Sequence, residues 1–180
     1  MAKLITDGFA EGDDAKVVSI LNKWNGGQLS DQLFTSISKM TPQLSAIIVV
    51  FRKKAGIIET LLLPRPSDDP LWPGMLNLPG KMFRAIDFKR EDKNPMNGPL
   101  ERIQTGELKI QLKSKPEFAE IVFQNTDRGS ILALIHVGEL PDDAKSEAVW
   151  VWCDVTKLSS LNNFLESETS AILTALKHYK

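Results

Sequence analysis

Along the chain the apolar positions first repeat at helical spacing, then gather into short continuous runs, and return to helical spacing near the end. In residues 13–24 the stripe is Val17, Val18, Ile20, Leu21 and Trp24, opened by Asp13 or Asp14 as a cap and closed by Asn25-Gly26-Gly27. Ser30 caps a second short helix that buries Leu33, Phe34 and Ile37 and stops at Thr41-Pro42. The period then changes. Residues 45–52 and 57–63 are β-branched and leucine-rich runs joined by Lys53-Lys54-Ala55-Gly56, which reads as a hairpin. A proline-rich loop follows, then a short strand at 81–84, a polar loop at 88–98 and a short helix at 99–107 with Leu100 and Ile103 inward. The pattern predicts strands at 108–113, 118–124, 130–137 and 148–153, broken by Lys115-Pro116, Asp127-Arg128-Gly129 and Pro141-Asp142-Asp143. Residues 161–178 form an amphipathic helix whose spacing slips near 166–169.

Strands that come first, with helices between and after them, predict an α/β (α+β) fold: a mixed sheet with helices on both faces, an α/β/α sandwich. Residues 1–43 read as an N-terminal helical extension packed on the core, and residues 44–180 as the main domain.

Composition narrows the function more than the fold. At 180 residues the chain is about one domain, and 42% hydrophobic with 25% charged residues is the balance of a globular protein. With 22 basic and 23 acidic residues the net charge is -1, which gives no bulk attraction to nucleic acid or to an anionic membrane. No apolar run reaches the length of a membrane span, and no leader-like segment opens the chain, so the expected location is the cytoplasm. The single Cys153 excludes an internal disulfide, fits a reducing compartment, and in Val149-Trp150-Val151-Trp152-Cys153 reads as a core thiol. Only His136 and His178 are present, too few for the usual zinc site, and His136 reads as a strand histidine.

The chemistry-bearing pattern is Leu71-Trp72-Pro73-Gly74-Met75-Leu76-Asn77-Leu78-Pro79-Gly80, followed by Leu100-Glu101-Arg102-Ile103-Gln104-Thr105-Gly106-Glu107-Leu108-Lys109-Ile110. From residue 44 onward the chain resembles the Nudix hydrolases, whose motif sets a glycine loop before a helix that carries clustered carboxylates. Carboxylates at positions i, i+3 and i+4 share a helical face and together hold Mg²⁺, which neutralises a diphosphate and activates water. The preferred register puts Lys81 on the motif glycine, Asp87 on the first acid, Arg102 on the arginine, Glu107 on the last glutamate and Lys109 on the closing glycine. Ile103 and Gly106 then stand where two carboxylates belong. A competing register places Gly106 on the closing glycine and keeps no metal-binding glutamate.

The resemblance implies Arg65, Trp72, Gly80 and Lys81 as ligand-binding residues, Glu107, Asp87 and Glu120 as candidate metal ligands, and an Arg102–Asp87 ion pair tying loop to helix. It implies Mg²⁺ as cofactor, yet one helical carboxylate holds that ion weakly because octahedral oxygen ligation is required. The expected function is binding of a nucleoside-diphosphate-type or other diphosphate-containing ligand, with hydrolysis weak or lost. An active Mg²⁺-dependent pyrophosphohydrolase with displaced ligands is the alternative. A structural module whose surfaces serve a homodimer is the third reading.

Overall fold

The long apolar run in the first half of the chain becomes the central strand, because only a strand covered on both faces can hide such a run. In the computed structural model, which describes residues 13–23, 30–89, 91–127 and 129–179, this is β1 (Gln43–Lys54). Its hairpin partner is β2 (Ile57–Pro64); Ala55 at φ 49° and Gly56 at φ 83° make the tight turn, in the left-handed region such hairpins require. Short strands β3 (Leu76–Asn77) and β4 (Gly80–Met82) come next, and the antiparallel pair β5 (Glu117–Thr126) and β6 (Gly129–Gly138) and then β7 (Val151–Asp154) complete the sheet.

The strand order is β3-β2-β1-β6-β5, with β4 paired to β1 and β7 to β2. Only β1 and β6 run parallel, in register from Gln43↔Ile131 to Val50↔Gly138, so the sheet is mixed as the sequence predicts. Alternate residues of β1 feed two cores. Ile47, Val49 and Phe51 join Ala171, Ile172 and Ala175 of the last helix, α4 (Thr169–Leu176). Ala46, Ile48 and Val50 join Leu100, Ile103 and Leu108 on the opposite face. Helix, sheet, helix is thus the layer order.

Leu100 belongs to α3 (Asn97–Arg102), which continues directly into a wide π-type turn over Ile103–Leu108. The expected single helix at 99–107 therefore exists but starts earlier and changes pitch midway. Lys109 ends it at φ 52°, ψ 35°, with its N–H bonded back to the Gln104 carbonyl. Left-handed geometry at this position is what the motif's closing glycine provides, and it falls on Lys109 rather than on Gly106.

Four expectations are corrected. Residues 108–113 form no strand, although Leu108, Ile110 and Leu112 alternate as one would. Their donors are used elsewhere: Ile110 N–H on the Gln104 carbonyl, Leu112 N–H on Gln104 Oε1, and Lys113 N–H on the Glu139 carbonyl. The last helix begins at Thr169, not near 161, and Phe164 and Leu165 enter the core from an extended segment beside Leu76. In α1 (Asp13–Asn22), Val18 and Ile20 face solvent, 54% and 62% exposed, and Val17 is half-buried, while the Leu21 side chain, Trp24 and Asn25-Gly26-Gly27 lie outside the described residues. The polar loop expected at 88–98 ends early, because Asn97 and Gly98 already belong to α3 and Gly98 is buried; the turns before it are held by Asp92, which accepts from Asn94 N–H and Asn97 Nδ2, and by Asn94, which accepts from Met96 N–H.

The N-terminal α2 (Asp31–Met40) is capped by Ser30, whose hydroxyl accepts from Leu33 N–H. It lies against the start of β6 so closely that a Cβ on Gly129 would come within 2.1 Å of the Ser38 carbonyl oxygen.

Candidate functional site

Strand β4 delivers two neighbours to one carboxylate. Gly80 N–H donates to Glu107 Oε2 at 2.7 Å, and Lys81 Nζ lies 2.7 Å from Glu107 Oε1. Glu107 comes from the wide turn after α3, so the turn that carries it and the strand that binds it are cross-linked through this one side chain. Gly80 also packs closely on β1: a Cβ there would lie 3.3 Å from Ile47 Cγ1 and 3.4 Å from the Ala46 carbonyl oxygen.

A second ion pair ties α3 to the segment after β4. Arg102 clasps Asp87 with two parallel bonds, Nη1 to Oδ1 at 2.6 Å and Nη2 to Oδ2 at 2.9 Å, and Nη2 also donates to the Met82 carbonyl at 3.0 Å. Arg84 N–H adds 2.7 Å to Asp87 Oδ2. Burial pulls the Asp87 carboxyl upward, but Arg102 and the Arg84 N–H outweigh it and hold it below its ordinary value. Asp87 is 2% exposed. It braces loop against helix, with both oxygens taken up by Arg102 and the Arg84 N–H.

Arg65, at the end of β2, is gripped by Asp69: its Nε donates to Asp69 Oδ2 at 2.9 Å, and Asp69 Oδ1 accepts from Leu71 and Trp72 N–H. Burial raises the Asp69 carboxyl, yet these bonds win and set it well below the usual carboxylate range. The Arg65 guanidinium also lies 5.3 Å from the Trp72 ring centroid. Arg65, Trp72, Gly80 and Lys81 are thereby gathered at one place from a loop, a strand end and a strand.

Two hollows meet here. One, of about 290 Å³, is lined by Trp72, Gly80, Gln124 and Glu168 among others; the second, of about 620 Å³, lies toward the proline-rich loop and Gly106. Arg65, Asn77, Lys81 and Glu107 belong to the walls of both.

This architecture is shared with solved structures. The NUDIX domain of Shewanella oneidensis NrtR, solved with ADP ribose, matches with a TM-score of 0.57 over 83% of this chain and 99% of that one, at 14% identity. The fold is the Nudix fold. A MutT protein from Methanosarcina mazei Go1 matches with a TM-score of 0.55 over 78% of this chain and 98% of that one at 18% identity. A C. elegans Ap4A hydrolase matches at 0.54 over 76% and 96%, at 17% identity. No protein-family model matches the sequence, and no curated protein matches it by sequence.

Proteins of the Nudix fold typically use divalent metals, and the donors found here do not suit one. Among the described residues no group of three or more His, Cys, Asp or Glu side chains is placed to hold a metal ion. Ile103 is fully buried in the core, Gly106 has no side chain, and both oxygens of Glu107 are already engaged. Glu120, a candidate ligand from the sequence, is exposed on β5 and lines neither hollow. The Mg²⁺ expectation therefore finds one engaged carboxylate, and hard octahedral ligation needs more.

Sequence reading missed Glu168 and Gln124. Glu168 precedes α4, and its Oε2 is buried without a hydrogen-bond partner. Burial above all, with the nearby Glu107 charge adding to it, pushes this carboxyl up to about 7, against the opposing effects of Gln124 and Arg65. Gln124 donates to the Ser167 carbonyl at 2.8 Å, which ties β5 to the segment before α4. The slip in apolar spacing at 166–169 was the available sign that this segment leaves the helix and turns inward.

His136 and Cys153 are core groups. His136 Nδ1 lies 3.0 Å from the Leu134 carbonyl and burial lowers its pKa; burial likewise raises that of the Cys153 thiol. No helix among the described residues is long and apolar enough to cross a bilayer.

Proposed function

We propose that this protein binds a phosphorylated small molecule of the nucleoside-diphosphate type across the waist between the two hollows, without a divalent metal and with hydrolysis weak or lost. The observation that carries the reading is the Lys81–Glu107 pair at 2.7 Å. An ammonium group stands beside the one surviving helical carboxylate of the motif, where the motif's logic calls for a cation. A lysine ammonium has three donors and Glu107 takes one, so the others serve phosphate oxygens. Arg65 offers a planar fork that suits phosphate geometry, oriented in advance by Asp69 and Trp72. Together they supply charge neutralisation without the water activation that a metal brings. The ADP ribose bound by the NrtR domain makes that compound a sensible first probe.

The test is calorimetric titration of ADP-ribose in EDTA and again in excess Mg²⁺, with product analysis of the mixtures. Comparable binding in both, loss of affinity of about tenfold or more in Lys81→Ala, and no accumulation of AMP are expected. Binding that appears only with Mg²⁺, together with turnover, would restore the hydrolase alternative.

A further inference from the structure

The smaller hollow contains a group that the phosphate-binding reading leaves unused. Glu168 Oε2 is buried and has no hydrogen-bond partner, which is costly for a polar atom unless something supplies one. It shares the hollow with Trp72 and with the Gln124 amide, which donates to the Ser167 carbonyl and also hydrogen-bonds the Glu168 carboxyl while leaving Oε2 unpartnered. Resting on the reading of the waist as a phosphate site, we propose that Glu168 recognises the ligand's ring end by donating a hydrogen bond, as a neutral carboxylic acid, to a carbonyl oxygen or ring nitrogen of a nucleobase.

The geometry supports each part. The hollow of about 290 Å³ is of the size of one ring system with its sugar, and it adjoins Lys81 and Arg65 at the waist. A ring placed there lies beside the Trp72 indole, an aromatic surface suited to stacking. An ionised Glu168 would repel both a ring acceptor and Glu107, whereas the neutral acid pairs with the acceptor and leaves Arg65 and Lys81 to the phosphates. Burial favours the neutral form. The remaining titratable side chains lining the hollow are Arg65 from the loop after β2, Lys81 from β4, Arg84 from the segment after β4, and Glu107 from the wide turn.

The experiment compares ADP with inorganic pyrophosphate, by calorimetry, on the wild-type chain, Glu168→Gln and Glu168→Ala. Gln keeps a donor in nearly the same shape and cannot ionise. The expected result is ADP affinity within about threefold of wild type for E168Q and reduced about tenfold or more for E168A, with pyrophosphate binding unchanged in both. Across pH, wild-type ADP affinity should fall as pH rises through about 7, while that of E168Q does not share the fall. The difference between the two profiles cancels the contributions of Arg65, Lys81, Arg84, Glu107 and the phosphates. ADP binding equal in all three proteins, or a wild-type pH profile identical to that of E168Q, overturns the role of Glu168 while leaving the phosphate site standing. Failure of wild type to bind pyrophosphate and ADP alike overturns the phosphate site and this inference with it. Thermal unfolding of E168A checks that it is folded; if it is not, E168Q and its pH profile decide alone.

Discussion

Gly98 is packed against Asp87 so tightly that a Cβ at residue 98 would sit 2.0 Å from Asp87 Oδ1 and 3.3 Å from Arg102 Nη1. The helix carrying Arg102 thus begins on the very carboxylate that Arg102 holds. Because Asp87 is short and pinned by Arg102 and Arg84, it has no room to yield. Gly98→Ala should destabilise the protein by about 1–3 kcal/mol, the usual range for overpacking. Urea unfolding of the two proteins at neutral pH checks it, and an unchanged midpoint would mean that the pair can shift freely.

Gly106 gives the opposite outcome. It lies in the wide turn with no positive φ, and a Cβ there meets nothing within 4 Å. Gly106→Ala should stabilise by about 0.5–1 kcal/mol, through lower unfolded-state entropy and better helical propensity. A loss of stability in the same urea assay would show that the turn needs glycine.

Asp87 should also set part of the acid response. Its carboxyl is held below the ordinary value of 3.8, so its contribution is present above pH 3.8 and is lost as pH falls below it. Asp87→Asn should cost about 2–3 kcal/mol at pH 7, less than for a fully buried pair because Arg102 keeps some solvent contact. The gap between variant and wild type should then narrow in acid. Unfolding free energies measured from pH 7 to about pH 2.5 test the sign; a gap that widens in acid refutes it.

If Lys81 stands in for the metal, exchanging it for carboxylate should bring metal binding back. Lys81→Gly with Gly106→Glu removes the ammonium and sets a second acid beside Glu107, on the side of the larger hollow where Gly106 already forms part of the wall. Mn²⁺ titration followed by electron paramagnetic resonance should show at least about tenfold tighter binding in the double variant than in wild type. Equal weak binding in both would show that Lys81 is not what keeps the cation out.

The strands were readable because their signals are local. Ala46–Phe51 is apolar without interruption, as a doubly covered strand must be, and Lys53-Lys54-Ala55-Gly56 announces its turn. The Arg102 and Asp87 positions were readable through their resemblance to a known motif, and the structure brings the two together. Other features depend on contacts distant in sequence. Leu108, Ile110 and Leu112 alternate like a strand, but Gln104 and Glu139 capture the backbone that would have formed the ladder. Glu168 in Leu165-Glu166-Ser167-Glu168 looks like an exposed helical acid, and only the docking of that segment over Gln124 turns its carboxyl inward. Glu107 kept its expected place while its partner was missed, since nothing in the spacing of Lys81 and Glu107 predicts that the two meet.

The wide turn at Ile103–Leu108 has a consequence for how such a helix can change over time. A π-type turn holds one residue more than the α-helical path around it needs. Were the same six residues wound as regular α-helix with none removed, every side chain beyond the turn would rotate by about 100°. Glu107 would swing off Gly80 and Lys81, and Leu108 would leave the core that it now fills without exposure. The surplus residue is therefore fixed by two demands at once, one from the charged waist and one from the apolar layer beneath it. Substitutions at this turn can retune the site one side chain at a time, whereas a change in its pitch would dismantle both.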